Sequence, residues 1–490
     1  WRRIVNCCSL RLWRHSLSDF SISNFFCMAI SDMSELAFAF SMMGGKKMSE
    51  TFDLIIRRGR VATPARIVKT DIGVLGGRIA AIGDLRSAAG KNVLDAKGLH
   101  VLPGVIDTQV HFREPGGEQK EDLGTGTAAA ALGGVCAVFD MPNNNPLITD
   151  TQAYSDKWRN ARGRLWCDAA FYVGATATNV NELAELERLP GCCGVKIFMG
   201  SSTGNLLVDD DATLARVLAQ GARRCSVHSE DEARLKKRFG IAEKAGDVSA
   251  HPEWRDIECA VKSTTRLLKL AHAARRRVHV LHISTAEELE ILRGREDTIS
   301  VEATPQHLTL AAPEVYEKLG TFGQMNPPIR DARHREALWQ AVNDGLIDCL
   351  GSDHAPHLIA EKEAPYPKSP SGMPGVQTLV PVMLDHVNAG RLSLERFVDL
   401  MASGPARLFG IAGKGRIAPG YDGDFTIVDL KAKRTITNSW IASRCGWTPY
   451  DGMKVTGWPI TTVLRGEIIM HEGGLVGEPA GDMMRFLETY

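Results

Sequence analysis

The central part of the chain alternates short apolar runs with longer amphipathic stretches, a rhythm typical of strands that alternate with helices. Four of the amphipathic stretches have helical spacing: Thr125–Leu132, Ala212–Gln220, Ile257–Ala274 and Arg335–Asn343. The apolar runs number eight: Val101–Val110, Val135–Met141, Ala169–Val173, Gly194–Met199, Cys225–His228, Val278–Ile283, Ile299–Ala303 and Ile347–Gly351. Repeated strand and helix units of this kind predict a closed parallel barrel, (β/α)₈.

A different pattern occupies both ends of the chain. Short β-type runs separated by Gly-containing turns occur at Asp53–Ile56, Ile72–Leu75, Arg78–Ile82 and Leu99–Leu102, and again at Asp424–Val428 and Ile460–Ile469. We therefore expect an α/β protein in which a TIM-like barrel carries a small flanking β-sandwich formed from both ends of the chain.

These patterns predict a division into domains. Residues 104–410 form the barrel, residues 48–103 and 411–475 form the composite β-sandwich, and residues 476–490 form a C-terminal tail. Residues 1–47 are interpreted as an upstream extension or leader outside the fold, because Trp1 is an improbable natural start and Met48 opens the strand pattern. A transit peptide is the alternative for this segment.

Composition narrows the classes of function. Lys and Arg together number 58, as do Asp and Glu, so no global charge favours binding to nucleic acid or to an anionic membrane. No apolar run reaches the length of a membrane span. The 11 cysteines are an odd number and lie mostly in apolar runs, which is typical of reduced thiols in a cytoplasmic protein.

Polar residues of ligand type follow the predicted strands. Because the carboxyl ends of barrel strands meet on one face, these residues are expected to surround one small volume, where imidazole and carboxylate groups suit Zn²⁺. They are His111, Asn143, Lys196, His228, His282 and Asp353. His272 and His279 lack this placement and are assigned to the structure rather than to the site.

Three of the polar residues near these strand ends indicate particular chemistry. Lys196 follows a hydrophobic strand, so it is either carbamylated to an anionic metal ligand or a lysine whose head reaches solvent. Asp353 could accept a proton from water and pass it to a leaving nitrogen, which makes it the candidate general acid and base. Arg113 could clamp a substrate carboxylate, or form a surface salt bridge with Glu114, Glu118 or Glu121. The charge runs Asp209–Asp211 and Arg275–Arg277 are interpreted as solvated faces.

Several motifs occur together in one order over residues 52–470. They are Val110-His111-Phe112-Arg113-Glu114-Pro115-Gly116, Met141-Pro142-Asn143, Lys196-Ile197-Phe198-Met199-Gly200, Val278-His279-Val280-Leu281-His282-Ile283-Ser284-Thr285, Asn326-Pro327-Pro328-Ile329-Arg330 and Asp353-His354-Ala355-Pro356-His357. In these motifs the chain resembles the dihydroorotase branch of the amidohydrolase superfamily.

The resemblance implies a reaction and a set of residues. The reaction is the reversible conversion of dihydroorotate to N-carbamoyl-aspartate in pyrimidine synthesis, with water activated by Zn²⁺ and the proton moved by Asp353. The backbone near Pro374-Gly375 would close over the substrate. The implied metal ligands are His111, carbamylated Lys196, His228, His282 and Asp353, and the implied substrate-binding residues are Arg113, Asn143, Asn326 and His357.

One residue departs from the pattern of the family. The first metal motif usually reads His-x-His, whereas this chain has Gln109-Val110-His111. An amide oxygen is a poorer Zn²⁺ ligand than imidazole, so the site is expected to hold one or two ions, with the second in doubt.

Two alternatives to dihydroorotase stay open. The first is another cyclic amidohydrolase, of the allantoinase or hydantoinase type. The second is a catalytically impaired partner of aspartate carbamoyltransferase. A small-molecule substrate and a homo-oligomeric assembly are expected, with association with aspartate carbamoyltransferase as a further possibility.

Overall fold

The computed structural model describes residues 51–201 and 206–487, so the interpretation of residues 1–47 lies outside the described part. Its centre is a nearly closed barrel of eight parallel strands, with the strand order following the chain. The strands are β6 (Val105–Val110), β7 (Val135–Asp140), β8 (Asp168–Gly174), β9 (Cys192–Phe198), β10 (Cys225–His228), β11 (Val278–Val280), β12 (Ile299–Ala303) and β13 (Cys349–Leu350). The predicted barrel is confirmed.

The first and last strands approach each other where the barrel closes. Just beyond β6 and β13, the His111 amide donates to the His354 carbonyl at 2.7 Å. Deeper in the barrel, the Ser352 amide donates to Asp107 Oδ1 at 2.8 Å. These contacts bring the segment after β13, which contains Asp353, beside the end of β6.

Helices surround the barrel and connect its strands. Aspartates cap several of them, as at Ile257–Ala274, where the Asp256 side chain accepts from the Cys259 amide. Within the described residues, no helix is both long and apolar enough to cross a membrane. The helices are α1 (Leu123–Leu132), α2 (Thr151–Ala161), α3 (Leu183–Leu186), α4 (Asp211–Leu218), α5 (Glu232–Ala245), α6 (His251–Trp254), α7 (Ile257–Ala274), α8 (Ala286–Leu292), α9 (Pro305–Thr309), α10 (Glu314–Leu319), α11 (Ala332–Asn343), α12 (Ile359–Lys362), α13 (Leu379–Asn388), α14 (Leu394–Val398) and α15 (Gly404–Phe409).

A second sheet of nine strands is built from both ends of the described chain. Its order is β17-β16-β15-β14-β5-β1-β2-β3, with β4 paired to β1, and most neighbours are antiparallel. The strands are β1 (Phe52–Ala62), β2 (Ile67–Leu75), β3 (Arg78–Gly83), β4 (Gly90–Asp95), β5 (His100–Pro103), β14 (Phe425–Thr435), β15 (Lys454–Leu464), β16 (Glu467–His471) and β17 (Gly474–Leu475). The expected composite β layer is confirmed, whereas the domain boundaries given above remain a prediction.

The chain passes from one sheet to the other at Gly104. The sequence predicted a single strand over Val101–Val110, but β5 belongs to the flanking sheet and β6 to the barrel. A Cβ at Gly104 would lie 2.8 Å from the Cβ of Asp424 and 2.9 Å from that of Cys136. Only glycine allows the two layers to approach this closely.

The interpretation of Arg275–Arg277 as a solvated face is wrong for its middle residue. Arg276 is buried and forms an ion pair with the buried Glu187. A charge run on the sequence gives no sign of such a partner, because Glu187 lies 89 residues earlier.

Candidate active site

Side chains from the carboxyl ends of the barrel strands enclose a small polar pocket. The space between them is about 10 Å³, close to the room that a single water molecule requires. The lining residues are Gln109, His111, Lys196, Phe198, His228, His282, Asn326, Asp353, Ala355, Ser371 and Gly372. The structure therefore brings together all five residues expected to bind metal.

His228 and His282 face each other inside this pocket. His228 Nδ1 lies 3.1 Å from His282 Nε2, and the rings meet edge to face. Burial lowers the pKa of both rings, so each is neutral at physiological pH. Neutral imidazole is the form that binds a metal ion.

Two charged residues that the sequence analysis missed orient His228. Glu230 Oε2 lies 2.9 Å from His228 Nε2, so Nε2–H donates to the carboxylate and the lone pair of Nδ1 points into the pocket. Arg255 donates to the same carboxylate from Nη2 at 2.6 Å. Burial opposes ionisation of Glu230, but the Arg255 guanidinium and the His228 ring hold the pKa of this carboxyl well below its usual range. A carboxylate on the far nitrogen is a common device for orienting a metal-binding histidine.

His111 and Asp353 also line the pocket and contact each other. His111 Nε2 lies 3.2 Å from Asp353 Oδ1, and His111 Nδ1 lies 2.8 Å from Asn143 Oδ1. Gln109, the residue that departs from the family pattern, donates from Nε2 to Asp353 Oδ1 at 2.9 Å. Its Oε1 is buried without a hydrogen-bond partner among the described residues.

Lys196 lies near the carboxyl end of β9 with its ammonium over the Phe198 ring, 4.5 Å from the ring centre. Its side chain is buried, which excludes the alternative that the head reaches solvent. Burial lowers the pKa of Lys196 to about 7, against the attraction of the Asp353 and Glu302 carboxylates. Much of the amine is therefore neutral at physiological pH, the form that reacts with carbon dioxide.

The substrate-binding candidates lie in two places beside the metal pocket. Arg113, Asn143 and His357 line a cleft of about 570 Å³, and Asn143 connects it to the pocket through His111. Asn326 instead lines the pocket itself and a second cleft of about 450 Å³. A ring substrate is too large for the pocket, so the clefts are the space available to it.

Arg113 is buried, and no carboxylate among the described residues lies within 4.0 Å of its guanidinium. It donates from Nε to the Pro356 carbonyl at 3.2 Å, and Nη2 lies 3.3 Å from His357 Nε2. Glu114, one of its expected partners, pairs instead with Arg164 at 2.7 Å. Among the described residues the surface salt bridge considered for Arg113 is therefore absent, and the Asp353 and Asp140 carboxylates attract its charge from beyond ion-pair distance.

A loop after β13 forms one wall of the pocket. Ser371 and Gly372 line it, a few residues before the Pro374-Gly375 pair expected to close over the substrate. Lys362, which the sequence analysis did not single out, holds this wall by donating to the carbonyls of Pro370 at 2.9 Å and Gly372 at 3.1 Å.

Three residues of the site have left-handed backbone conformations that L residues rarely adopt. The φ angles are 58° at Arg113, 36° at His282 and 44° at Asp353. Each such residue costs on the order of 1 kcal/mol, and such strain is commonly found at functional sites. The surrounding fold therefore holds these side chains where local preference would not.

The pocket fits a divalent metal ion. Two neutral imidazoles direct nitrogen atoms into it, a carboxylate faces them, and His282 Nδ1 is a buried nitrogen without a hydrogen-bond partner among the described residues. Nitrogen and oxygen donors of this kind suit zinc and similar borderline ions.

Comparisons with known proteins agree with this geometry. Residues 100–469 match the model of the amidohydrolase family. A dihydroorotase of Methanosarcina acetivorans is 36% identical over 87% of this chain and 94% of its own length. An allantoinase of Escherichia coli is 35% identical over 89% of this chain and 99% of its own length.

Solved structures show the same fold. The L-hydantoinase (dihydropyrimidinase) of Arthrobacter aurescens superimposes with a TM-score of 0.84 at 30% identity, over 89% of this chain and 100% of that protein. The resemblance expected from the motifs is confirmed, and the chain belongs to the amidohydrolase family.

Proposed function

We propose that this protein hydrolyses dihydroorotate to N-carbamoyl-aspartate, reversibly. The coarser activity, hydrolysis of a cyclic amide, is what its relatives share. The observation that supports the finer proposal is Arg113, a buried guanidinium that forms no direct ion pair with a carboxylate of the described residues and lines the cleft beside the metal pocket. Dihydroorotate has a free carboxylate that could supply the missing charge, whereas allantoin and simple hydantoins have none.

In this proposal the residues of the pocket have different roles in amide hydrolysis. His111, Lys196, His228, His282 and Asp353 would hold Zn²⁺, with Lys196 carbamylated. When bound, the ion would lower the pKa of water and polarise the amide carbonyl. Asp353 is buried and touches His111, and it would move a proton from water to the leaving ring nitrogen. Arg113 and His357 would fix the substrate carboxylate, and Asn143 and Asn326 would orient the ring.

The relatives suggest a second class of substrate, cyclic ureides that have no carboxylate. The allantoinase relative is nearly as similar as the dihydroorotase, and the L-hydantoinase shares the fold closely. A ureide without a carboxylate would leave Arg113 buried beside a neutral ligand, which is costly. The geometry therefore favours dihydroorotate over allantoin. A homo-oligomer and association with aspartate carbamoyltransferase remain predictions.

The test is a panel of cyclic amides assayed with the wild-type protein and with Arg113→Met. Removing a charge-assisted hydrogen bond costs about 1.5–3 kcal/mol, so kcat/KM for dihydroorotate should fall roughly 10- to 150-fold. Hydantoin, which has no carboxylate, serves as the internal control and should lose little. Greater wild-type activity on allantoin or hydantoin than on dihydroorotate, or an equal loss on all substrates, would contradict the proposal.

A further inference from the structure

A second cluster of potential metal ligands lies inside the barrel, apart from the pocket described above. It consists of His279 on β11, Glu302 on β12 and Cys349 on β13, and none of the three side chains is exposed. The sequence indicates a structural role for His279 and a reduced thiol in an apolar run at Cys349, and it gives no signal at Glu302. Nothing in the proposed hydrolysis uses them.

The distances between the three ligand atoms resemble those around a tetrahedral ion. His279 Nε2 lies 3.3 Å from Glu302 Oε2 and 3.6 Å from Cys349 Sγ, and the sulfur lies 3.9 Å from the carboxylate oxygen. Zinc bonds of about 2.0–2.3 Å at tetrahedral angles place ligand atoms about 3.3–3.6 Å apart. One ion could therefore contact all three atoms after small side-chain movements.

One of the two tautomers of His279 leaves its inner nitrogen, Nε2, as an acceptor. The Ser300 hydroxyl accepts from Arg224 Nη1 at 2.9 Å and can donate to the Val278 carbonyl at 3.4 Å. Its remaining lone pair can receive Nδ1–H of His279, which lies 2.8 Å away. In this tautomer the lone pair of Nε2 points at Glu302 Oε2, and a cation between the two atoms would stabilise the arrangement; in the other tautomer Nε2–H donates to that oxygen.

The Glu302 carboxylate also forms no direct ion pair with a lysine or arginine of the described residues. Within the described chain, its only salt-bridge contact is His279, and no Lys or Arg nitrogen lies within 4.0 Å. Thr108 donates a hydrogen bond to Oε2 at 2.5 Å, while Oε1 is buried and has no hydrogen-bond partner in the part of the chain that the structure describes. A carboxylate removed from water in this way is stabilised by a nearby positive charge, and a metal ion is one group that supplies it.

We propose that His279, Glu302 and Cys349 bind a structural divalent cation of the zinc class inside the barrel. Imidazole, carboxylate and thiolate together select a borderline ion rather than calcium or magnesium. Ser300 and Thr108 are the outer groups that orient the imidazole and the carboxylate. Binding releases the proton of the Cys349 thiol, and because the cluster is closed to solvent, the ion enters while the chain folds.

The test is cobalt substitution of the full-length protein, produced in cells that grow in cobalt-supplemented medium. A Co²⁺–thiolate bond gives a near-ultraviolet charge-transfer band, which imidazole and carboxylate ligands cannot produce. We expect this band in the wild-type protein and its loss in Cys349→Ser, together with the loss of one metal ion per chain. Cys136→Ser changes another fully buried thiol, whose neighbours are backbone carbonyls, and should keep both signals.

Measurements on the wild-type protein alone also test the proposed metal site, so the test holds even where a variant fails to fold. X-ray absorption of the zinc-loaded protein should show a sulfur neighbour at about 2.3 Å. Absence of that neighbour and of the cobalt band would overturn the proposal. A band that persists in Cys349→Ser would overturn it too. Neither readout depends on the substrate, so the result is independent of the function proposed above.

Discussion

The glutamate behind His228 offers a sharp test of how the barrel supports the metal pocket. Glu230 is fully buried, accepts from His228 Nε2 at 2.9 Å and forms a close ion pair with Arg255. Replacing Glu230 by Gln keeps the shape and removes the charge. Two effects are expected: a less basic imidazole, and an Arg255 guanidinium that is buried without its counter-charge.

The size of each effect follows from the contacts. Breaking a buried ion pair costs about 3–5 kcal/mol of unfolding free energy. Loss of an outer carboxylate that orients a histidine ligand lowers metal affinity about 10- to 100-fold, or about 1.4–2.8 kcal/mol. Chemical denaturation of the metal-free protein measures the first quantity, and competition with a chromophoric chelator measures the second.

A matched control separates the two effects. Glu187 is also buried and paired with an arginine, Arg276, but it precedes β9 at the amino end of the barrel, on the face opposite the pocket. Glu187→Gln should therefore destabilise the fold by a similar amount and leave metal affinity unchanged. Equal metal affinities in Glu230→Gln and Glu187→Gln would refute the reasoning.

Two further predictions concern residues next to the pocket. Lys362→Met removes the donor that holds the Pro370 and Gly372 carbonyls, so it should raise KM for the ring substrate more than it lowers kcat; steady-state kinetics that show an unchanged KM would contradict this. Burial lowers the pKa of His251 to about 3 from 6.5, so its contribution to stability is complete above pH 6.5 and is lost as pH falls toward 3. As pH falls through this range, the unfolding free energy of His251→Gln should therefore decrease less steeply than that of the wild type. The two slopes should differ by up to about 1.4 kcal/mol per pH unit, and identical slopes would contradict the prediction.

The sequence allowed the barrel and the pocket to be predicted because both depend on local signals. Apolar runs mark buried parallel strands, and a polar residue at the end of such a run, as at His228, lies on the carboxyl face of the barrel. The expected helix Ile257–Ala274 has the same bounds in the structure, since Asp256 caps it and its apolar positions have helical spacing.

Features that depend on distant partners could not be predicted in this way. Glu230 and Arg255 lie 25 residues apart in charged stretches that resemble a solvated surface, yet they meet in the interior behind His228. Strand β4 is short and largely exposed, so it lacks an apolar run and is defined by its pairing with β1. The barrel cluster around His279 involves strand positions that point inward below the strand ends, which sequence spacing alone did not distinguish from packing.

The left-handed backbone at Arg113, His282 and Asp353 has a consequence for protein engineering. Glycine adopts such angles without steric conflict, so replacing any of these residues by glycine would relax the chain locally. Directed evolution that selects only for thermal stability would therefore favour substitutions that remove the guanidinium of Arg113, the imidazole of His282 or the carboxylate of Asp353. Each round of selection therefore has to measure catalytic turnover as well as thermal stability, because stability and activity favour different residues at these three positions.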